Sequence, residues 1–399
     1  MSDNKDRVII AGAGPVGLVA ALALARRGVP TLVIEAEPDL AMELRGSTFH
    51  PPTLDMLDEF GVVPRLIDEG LKAPTWQFRD RETGPVATFD LALIAGDTAH
   101  PYRLQCEQWR LARVLRAEYL KIAGAELRLA HRAVALRQDE AGITVDVETP
   151  SGPAAFEGRY LVVADGARSV LRRSLGVEFA GFTYPEYFLI ASTPFRFEEP
   201  ISDLAYVNYI SDPQEWLVLL RVRDLWRVLV PAPETTDRGE ALSDESLERV
   251  LQRVVARPQP YEISHRSIYH VHQRVASCFR AGRALLAGDA AHINNPLGGM
   301  GMNGGIHDAF NLAEKLAEIW HGGDERLLDR YDRQRRTVAV EAVQQETMRN
   351  HRLMSERDPE IRRKSLDELR QTGTDPARAR DYMLKSSMIG SLRRAAEIA

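Results

Sequence analysis

Apolar positions along this chain follow two rhythms. Short unbroken apolar runs, the pattern of a strand buried on both faces, occur at 7–11 (Arg-Val-Ile-Ile-Ala), 31–34, 160–164 and 284–287. Each ends on similar punctuation: Gly12 after the first, Glu35 after the second, Asp165-Gly166 after the third, Gly288-Asp289 after the fourth. Helix-period patterns lie between and beyond them. An Ala/Leu-rich stretch reaches Arg27, where Gly28 serves as a C-cap. Others cover 52–60 (stopped by Gly61), 107–123 (Leu111, Val114, Leu115 and Tyr119 on one face), 243–255, the stretch from the 298–303 loop to near Trp320, 327–353, and about 377–396. Strand-like segments occupy parts of 74–97 (Trp76, Phe78; Val86, Thr88), then 126–129, 133–136 and 143–147. From Phe179 to about Pro231 the chain is β-rich (188–192, 204–210, 216–222, 226–230), and 261–269 returns as a strand, which predicts a separate antiparallel sheet. The charges over 356–363 read as a solvated connection.

Composition narrows the class. At 399 residues, 44% hydrophobic and 27% charged, the chain can bury a sizeable core as one large domain or two ordinary ones. A net charge of −6 gives no reason to expect nucleic acid or an anionic membrane as a partner. Cys106 and Cys278 make neither a disulfide framework nor a metal cluster, and fit a reducing, cytoplasmic setting. The apolar run 8–25 contains three glycines and a proline and leads into Arg26-Arg27-Gly28, so it reads neither as a signal peptide nor as a membrane segment.

The chemistry sits at the ends of the apolar runs. Gly12-Ala13-Gly14-Pro15-Val16-Gly17 stands between a strand and a helix, and the next strand ends on Glu35. That is the dinucleotide fingerprint in its required context. Gly12 makes the tight turn, Gly14 admits a pyrophosphate to the backbone, Gly17 lets helix pack on strand, and Glu35 can accept two ribose hydroxyls. Gly288-Asp289 with the loop through Pro296, Gly298, Gly299, Gly301, Met302 and Asn303 opens a long helix, where free N–H groups and partial positive charge collect. An acid followed by bare backbone suits a ligand with hydroxyls on one side and an anionic edge on the other, as a reduced flavin has.

Together with Asp165-Gly166-Ala167-Arg168-Ser169, these pieces resemble the single-component (class A) FAD-dependent aromatic hydroxylases, the 4-hydroxybenzoate hydroxylase-like family, over Arg7 to about Leu353. The resemblance implies an α/β fold: a Rossmann-like FAD domain (1–75, 100–178 and 265–325), an inserted antiparallel β-sheet substrate domain (76–99 and 179–264) and a helical C-terminal region (326–399). It implies FAD contacts from Gly12, Gly14, Pro15, Val16, Gly17, Glu35 and Ala36, and from Arg45 at the phosphates or at NAD(P)H. It adds Gln105 and Arg110 beside the ribityl and phosphates, Val134 at the adenine, Asp165 and Gly166 near the pyrophosphate, and Asp289 on the ribityl chain. Pro296 would pack beside the ring, and Gly299, Gly301, Met302 and Asn303 would present backbone N–H groups to its pyrimidine edge. Met300 departs from the Gln or Lys many relatives carry there. Ala36 and Glu37, where NADPH users often have a base, favour NADH over NADPH.

The implied reaction is NAD(P)H-dependent hydroxylation of a phenolic aromatic or heteroaromatic molecule by O2 through a flavin C4a-hydroperoxide. Ala205-Tyr206-Val207-Asn208 resembles the Tyr-x-Asn strand whose tyrosine touches the substrate hydroxyl, which points to Tyr206; Tyr209 lies on the opposite face. His50 is a candidate pocket residue, Tyr382 a candidate relay, and Arg221 and Arg227 candidate substrate anchors, although the benzoate-binding arginine has no secure counterpart. Trp76, Trp216, Trp226 and Phe188 could line a roomy aromatic pocket, and the remaining histidines show no metal-ligand pattern. A homodimer is compatible with the chain. The competing readings are a reductase, a halogenase (whose Trp-x-Trp-x-Ile-Pro segment is absent), a membrane-associated quinone hydroxylase, and a non-catalytic FAD-binding protein.

Overall fold

A computed structural model describes residues 5–42 and 46–399. Four parallel strands make the heart of a six-stranded sheet: Ala284–Leu286, Tyr160–Val163, Val8–Ala11 and Thr31–Ile34 stand in that order, with Glu126–Arg128 and Arg280–Ala281 at the edges. All four are wholly buried; the Pro15–Arg26 helix packs against Val8–Ala11, Thr31–Ile34 and Tyr160–Val163, and the Met300–Trp320 helix packs on that helix in turn. Parallel alignment brings Gly12, Glu35, Asp165 and Asp289 out at one end of the sheet, where ligands bind in open α/β folds.

The second sheet has eight strands, in the order His292–Ile293, His265–Ala276, Phe179–Thr193, Trp226–Pro233, Leu217–Arg221, Val207–Ser211, Thr75–Asp80 and Gly84–Asp90. The pairing of Val207–Ser211 with Thr75–Asp80 is parallel, so the sheet is mixed rather than purely antiparallel as expected. The boundary expected at 264/265 also moves. The strand His265–Ala276 pairs with Phe179–Thr193 along its length and belongs to this sheet; its His, Arg and Gln positions hid its alternation. Its far end enters the nucleotide-side core through Ala276.

One face of this sheet packs Leu219, Trp226 and Val228 against the Asp244–Val254 helix. The other presents Trp76, Phe78, Phe188, Tyr209 and Val218 to the C-terminal helices. The expected run 327–353 is helical along its length, with one irregularity. The Arg326–Val338 and Gln345–Ser355 helices join through a π-helical segment at Ala339–Gln344. The stretch expected to be a solvated connection starts a further helix, Pro359–Thr374, capped by Asp358 and seated on the sheet through Leu366 and Leu369. The last expected helix is two, Pro376–Ser386 and Ile389–Glu397, divided at Met388 (φ 68°). Among the described residues no helix is long and apolar enough to cross a membrane.

Candidate active site

The glycine turn is tight for identifiable reasons. Gly12 has φ 103°, and a Cβ there would sit 2.3 Å from the Ala164 carbonyl oxygen; one on Gly17 would sit 2.0 Å from the Gly12 carbonyl oxygen. Gly14 differs: nothing lies within 4 Å of where its Cβ would be. Packing therefore demands Gly12 and Gly17, while Gly14 keeps open the approach to the helix start. Leu18 makes the first intrahelical bond, to the Gly14 carbonyl (3.0 Å), so the N–H groups of Val16 and Gly17 lie ahead of it; Pro15, at the first position, has none. The Glu35 carboxylate accepts from the N–H groups of Ala13 (2.7 Å) and Glu37 (3.0 Å), which pins it beside the turn; Ala36 follows it, half-buried.

Asp165 is mostly buried against the same turn, with one carboxylate oxygen lacking any partner. Burial pushes its pKa up, against hydrogen bonds from Ser169 and the backbone of Leu171. Gly166 (φ 82°) turns the chain immediately after. Val134 is the extra residue of a β-bulge: Ala133 pairs with Val147 and Ala135 with Asp146, which leaves the Val134 backbone outside the ladder register. Asp289 is exposed at the sheet's end. Behind it the Gly288 N–H donates to Asp308 Oδ2 (3.1 Å), which also meets His292 Nε2 (2.8 Å), while Asp308 Oδ1 accepts from Arg335 Nε (2.6 Å).

The loop after Pro296 is fastened to a small three-stranded sheet of Thr48–Phe49, Arg103–Gln105 and Leu71–Ala73. Asn303 does most of the fastening. Its amide accepts from the His50 N–H (2.9 Å) and donates to the carbonyls of Thr48 (2.8 Å) and Gly299 (2.6 Å). Gly299 (φ 68°) caps the following helix, donating to the Pro296 carbonyl (3.0 Å), and leaves Gly301 and Met302 in the first helical turn. Met300 turns away into an apolar contact with Val343 and Met388. His50 Nε2 donates to the Gly298 carbonyl (2.8 Å), which leaves Nδ1 as a buried acceptor without a partner. Burial first, and the Arg103 charge second, hold this imidazole well below its ordinary pKa, hence neutral.

The small sheet's pairing explains why these groups share one surface. Thr48 is opposite Gln105 and Phe49 opposite Leu104, so His50 falls beside Arg103. Phe49 and Leu104 enter the nucleotide-side core, and Thr48, His50, Arg103 and Gln105 emerge on the other face. Gln105 accepts from the Thr48 hydroxyl (2.9 Å), while its buried Nε2 has no partner, nor has the buried Oδ1 of Asn294. A donor and an acceptor left open beside bare loop backbone fit the mixed edge of a flavin ring. Arg110 is committed elsewhere: its guanidinium meets Glu107 (2.8 Å) and Glu69 (3.1 Å) and lies over Trp109. Arg45 lies outside the described residues.

Beyond Arg103 comes an aromatic wall. Trp76 stacks on Phe89 (4.5 Å between centroids) and meets Tyr209 edge-on (5.9 Å); Tyr382 stacks on Phe89 (4.7 Å). Leu297, from the loop, packs into this same cluster. The tyrosine that the sheet turns toward Arg103 is Tyr209; Tyr206 is the one the sequence pointed to for the substrate hydroxyl. Tyr209 pairs with Phe78 inside the strand, whereas Tyr206 precedes the strand, half-buried between two apolar clusters, and Asn208 turns back to the Ala205 carbonyl (2.6 Å). Arg227 is buried and donates to Ser47 Oγ (3.1 Å), Arg221 lies near Trp226, and Trp226 faces the opposite core. Arg103 was not singled out from the sequence. The signal available was its alternation with Gln105 across Leu104.

Comparison with known proteins agrees with this geometry. Residues 5–346 match the FAD binding domain family. Para-nitrophenol 4-monooxygenase of Pseudomonas sp. (strain WBC-3) is 33% identical over 401 residues, covering 98% of each chain. The 6-hydroxy-3-succinoylpyridine 3-monooxygenase HspB of Pseudomonas putida (strain DSM 28022 / S16) is 32% identical, covering 95% of this chain and 97% of its own. The crystal structure of p-nitrophenol 4-monooxygenase PnpA from Pseudomonas putida DLL-E4 superposes with a TM-score of 0.91 at 30% identity, over 98% of both chains. With that match running almost end to end, and with the glycine turn, Glu35 and the Asp289 loop converging on one end of the sheet, the chain belongs to the FAD binding domain family, among its single-component FAD-dependent aromatic monooxygenases.

Proposed function

We propose that this enzyme uses NADH or NADPH and O2 to hydroxylate a phenolic aromatic or heteroaromatic small molecule, with FAD as its cofactor. The observation that carries the reading is continuity. One loop, 294–303, supplies both the flavin-side groups and Leu297 of the aromatic wall, so cofactor and substrate surfaces share a boundary. Bound FAD supplies the chemistry this requires, accepting hydride from the nicotinamide and activating dioxygen once reduced.

The chain's own residues bind, orient and shield. Gly14, Val16 and Gly17 receive the pyrophosphate at the helix start, supported by the open side of Gly14. Glu35 takes the ribose, Val134 offers backbone to the adenine, and Asp165, Gly166 and Asp289 border the phosphates and ribityl chain at the sheet's end. Gln105 Nε2 and the first-turn N–H groups of Gly301 and Met302 meet the ring, with Pro296 at its side. His50 and Asn303 hold the loop in place, and the packed aromatic wall excludes water.

A screen of phenols, hydroxypyridines and hydroxyquinolines, run with NADH and with NADPH, tests the proposal. Ligand-stimulated nicotinamide oxidation, with hydroxylated product exceeding peroxide release, is the expected result. Nicotinamide oxidation that reduces the organic ligand without consuming O2 would instead indicate a reductase. FAD bound tightly with no ligand-stimulated turnover across the screen would indicate a binding protein.

A further inference from the structure

We infer that Arg103 is the anion-binding group of the substrate pocket, and that it selects aromatic molecules carrying a negatively charged oxygen on the ring. The inference rests on the aromatic-monooxygenase reading above and adds the substrate's charge. Arg103 is 2% exposed, and among the described residues no carboxylate forms an ion pair with it. Its Nε and Nη1 are buried without hydrogen-bond partners. A guanidinium is donor-only, and burying one with donors unmet is costly unless an acceptor arrives.

Its neighbours repeat the request. The Tyr382 hydroxyl and the Trp76 indole N–H are also buried without partners, and the Arg103 guanidinium lies 4.7 Å from the Trp76 ring centroid. Three side chains with unmet donors thus cluster among aromatic rings, a setting that suits a ring bearing an anionic oxygen. The groups of variable charge around Arg103 are His50 on the adjoining strand, Tyr209 on the large sheet and Tyr382 on the C-terminal helix, with Arg349 and Glu346 behind Tyr382. Tyr209 shares a side-chain hydrogen bond with Arg103, which leaves Nε and Nη1 unmet; none of the groups in contact with Arg103 is a carboxylate that would neutralise it, and His50 is held neutral in part by the same guanidinium.

The oxygen can come from an ionised hydroxyl or from a ring carboxylate, and matched ligand pairs separate the two. Dissociation constants are measured on the FAD-loaded enzyme without nicotinamide, from perturbation of the flavin absorbance. One pair is 4-nitrophenol against 4-nitroanisole; the other is 4-hydroxybenzoate against its methyl ester. The charged member of at least one pair should bind about tenfold or more tighter, and the pair that shows it identifies the source. In Arg103→Gln that preference should fall to about twofold or less, and Arg103→Lys, which keeps the charge, should retain part of it. A second measurement needs no variant: bound 4-nitrophenol should keep its phenolate absorbance at a pH where the free ligand has lost it. Equal affinity within both pairs, or a preference unchanged in Arg103→Gln, would each overturn the inference; where the nitrophenol pair is the one that shows the preference, a bound nitrophenol that protonates at the same pH as the free one would overturn it too. Charge preference without any nicotinamide oxidation would keep the anion site and remove the proposed activity; brisk turnover without charge preference would do the reverse.

Discussion

Three glycines in one turn do two different jobs. Gly17→Ala would drive a methyl into the Gly12 carbonyl, where a Cβ would stand only 2.0 Å away, and should cost about 2 kcal/mol even without FAD. Gly14→Ala meets nothing within 4 Å, so apo stability should hold while FAD affinity falls. Urea denaturation of the apoprotein and FAD titration of both variants check the contrast, and equal loss of apo stability would contradict it. Titration offers a second test. Burial first, then the Arg335 charge, lowers the His307 pKa to about 3, and His50 is lowered well below its ordinary value too. The folded chain keeps both rings neutral, whereas an unfolded chain protonates them near 6.5. Their contribution is therefore intact above about pH 6.5 and is lost as pH falls below it, each ring costing about 1.4 kcal/mol per pH unit. Denaturation between about pH 5 and 8 should show this fall, and His307→Gln should make it shallower by about one proton. Residue identities such as Gly12, Glu35 and Asp289 were legible in the chain because each follows a buried run directly. Arg103 was not, because its facing is decided by pairing with Thr48–Phe49, more than fifty residues away.

At the scale of elements, the strand–turn–helix units are held by contacts that leave little tolerance. The Met300–Trp320 helix crosses the first helix where Gly305 would place a Cβ 2.6 Å from Val16 Cγ2 and 2.9 Å from Gly288 Cα. One turn later Asp308 ties strand end, histidine and the next helix together. Burial would push the Asp308 carboxyl up, but Arg335 and then His292 outweigh it and hold it at about 2. Asp308→Asn removes the charge that balances a buried Arg335 and should cost about 3 kcal/mol or more in equilibrium denaturation; a loss below about 1 kcal/mol would contradict this account of the joint. Elements with uninterrupted apolar runs were readable in advance. The Pro359–Thr374 helix was not, since it rests on Leu366 and Leu369 while Arg362, Arg363 and Lys364 dominate its start. The strand His265–Ala276 was misplaced for a related reason: polar residues fill both its faces, and only pairing with Phe179–Thr193 shows which sheet it joins.

Across the whole molecule, a nucleotide-binding sheet and an aromatic-faced sheet meet at one loop, and the C-terminal helices close the far side through Tyr382, Met383 and Ile389. Fold class and cofactor were legible because the family's motifs are local. The substrate wall was only partly so: Trp76, Phe188 and Trp216 do share one face, but Trp226 turns to the other, and the tyrosine that meets Arg103 is Tyr209. Facing of this kind is a property of sheet register, which no single segment encodes. The two surfaces cooperate in adding oxygen to an aromatic ring. The most direct measurement supplies the FAD-loaded enzyme with a nicotinamide, a phenol that stimulates its oxidation, and isotopically labelled dioxygen, and then weighs the product. One labelled oxygen atom in a newly hydroxylated ring is the predicted result. Product oxygen drawn from water, or nicotinamide consumed with only peroxide formed for every phenol that stimulates it, would contradict the account.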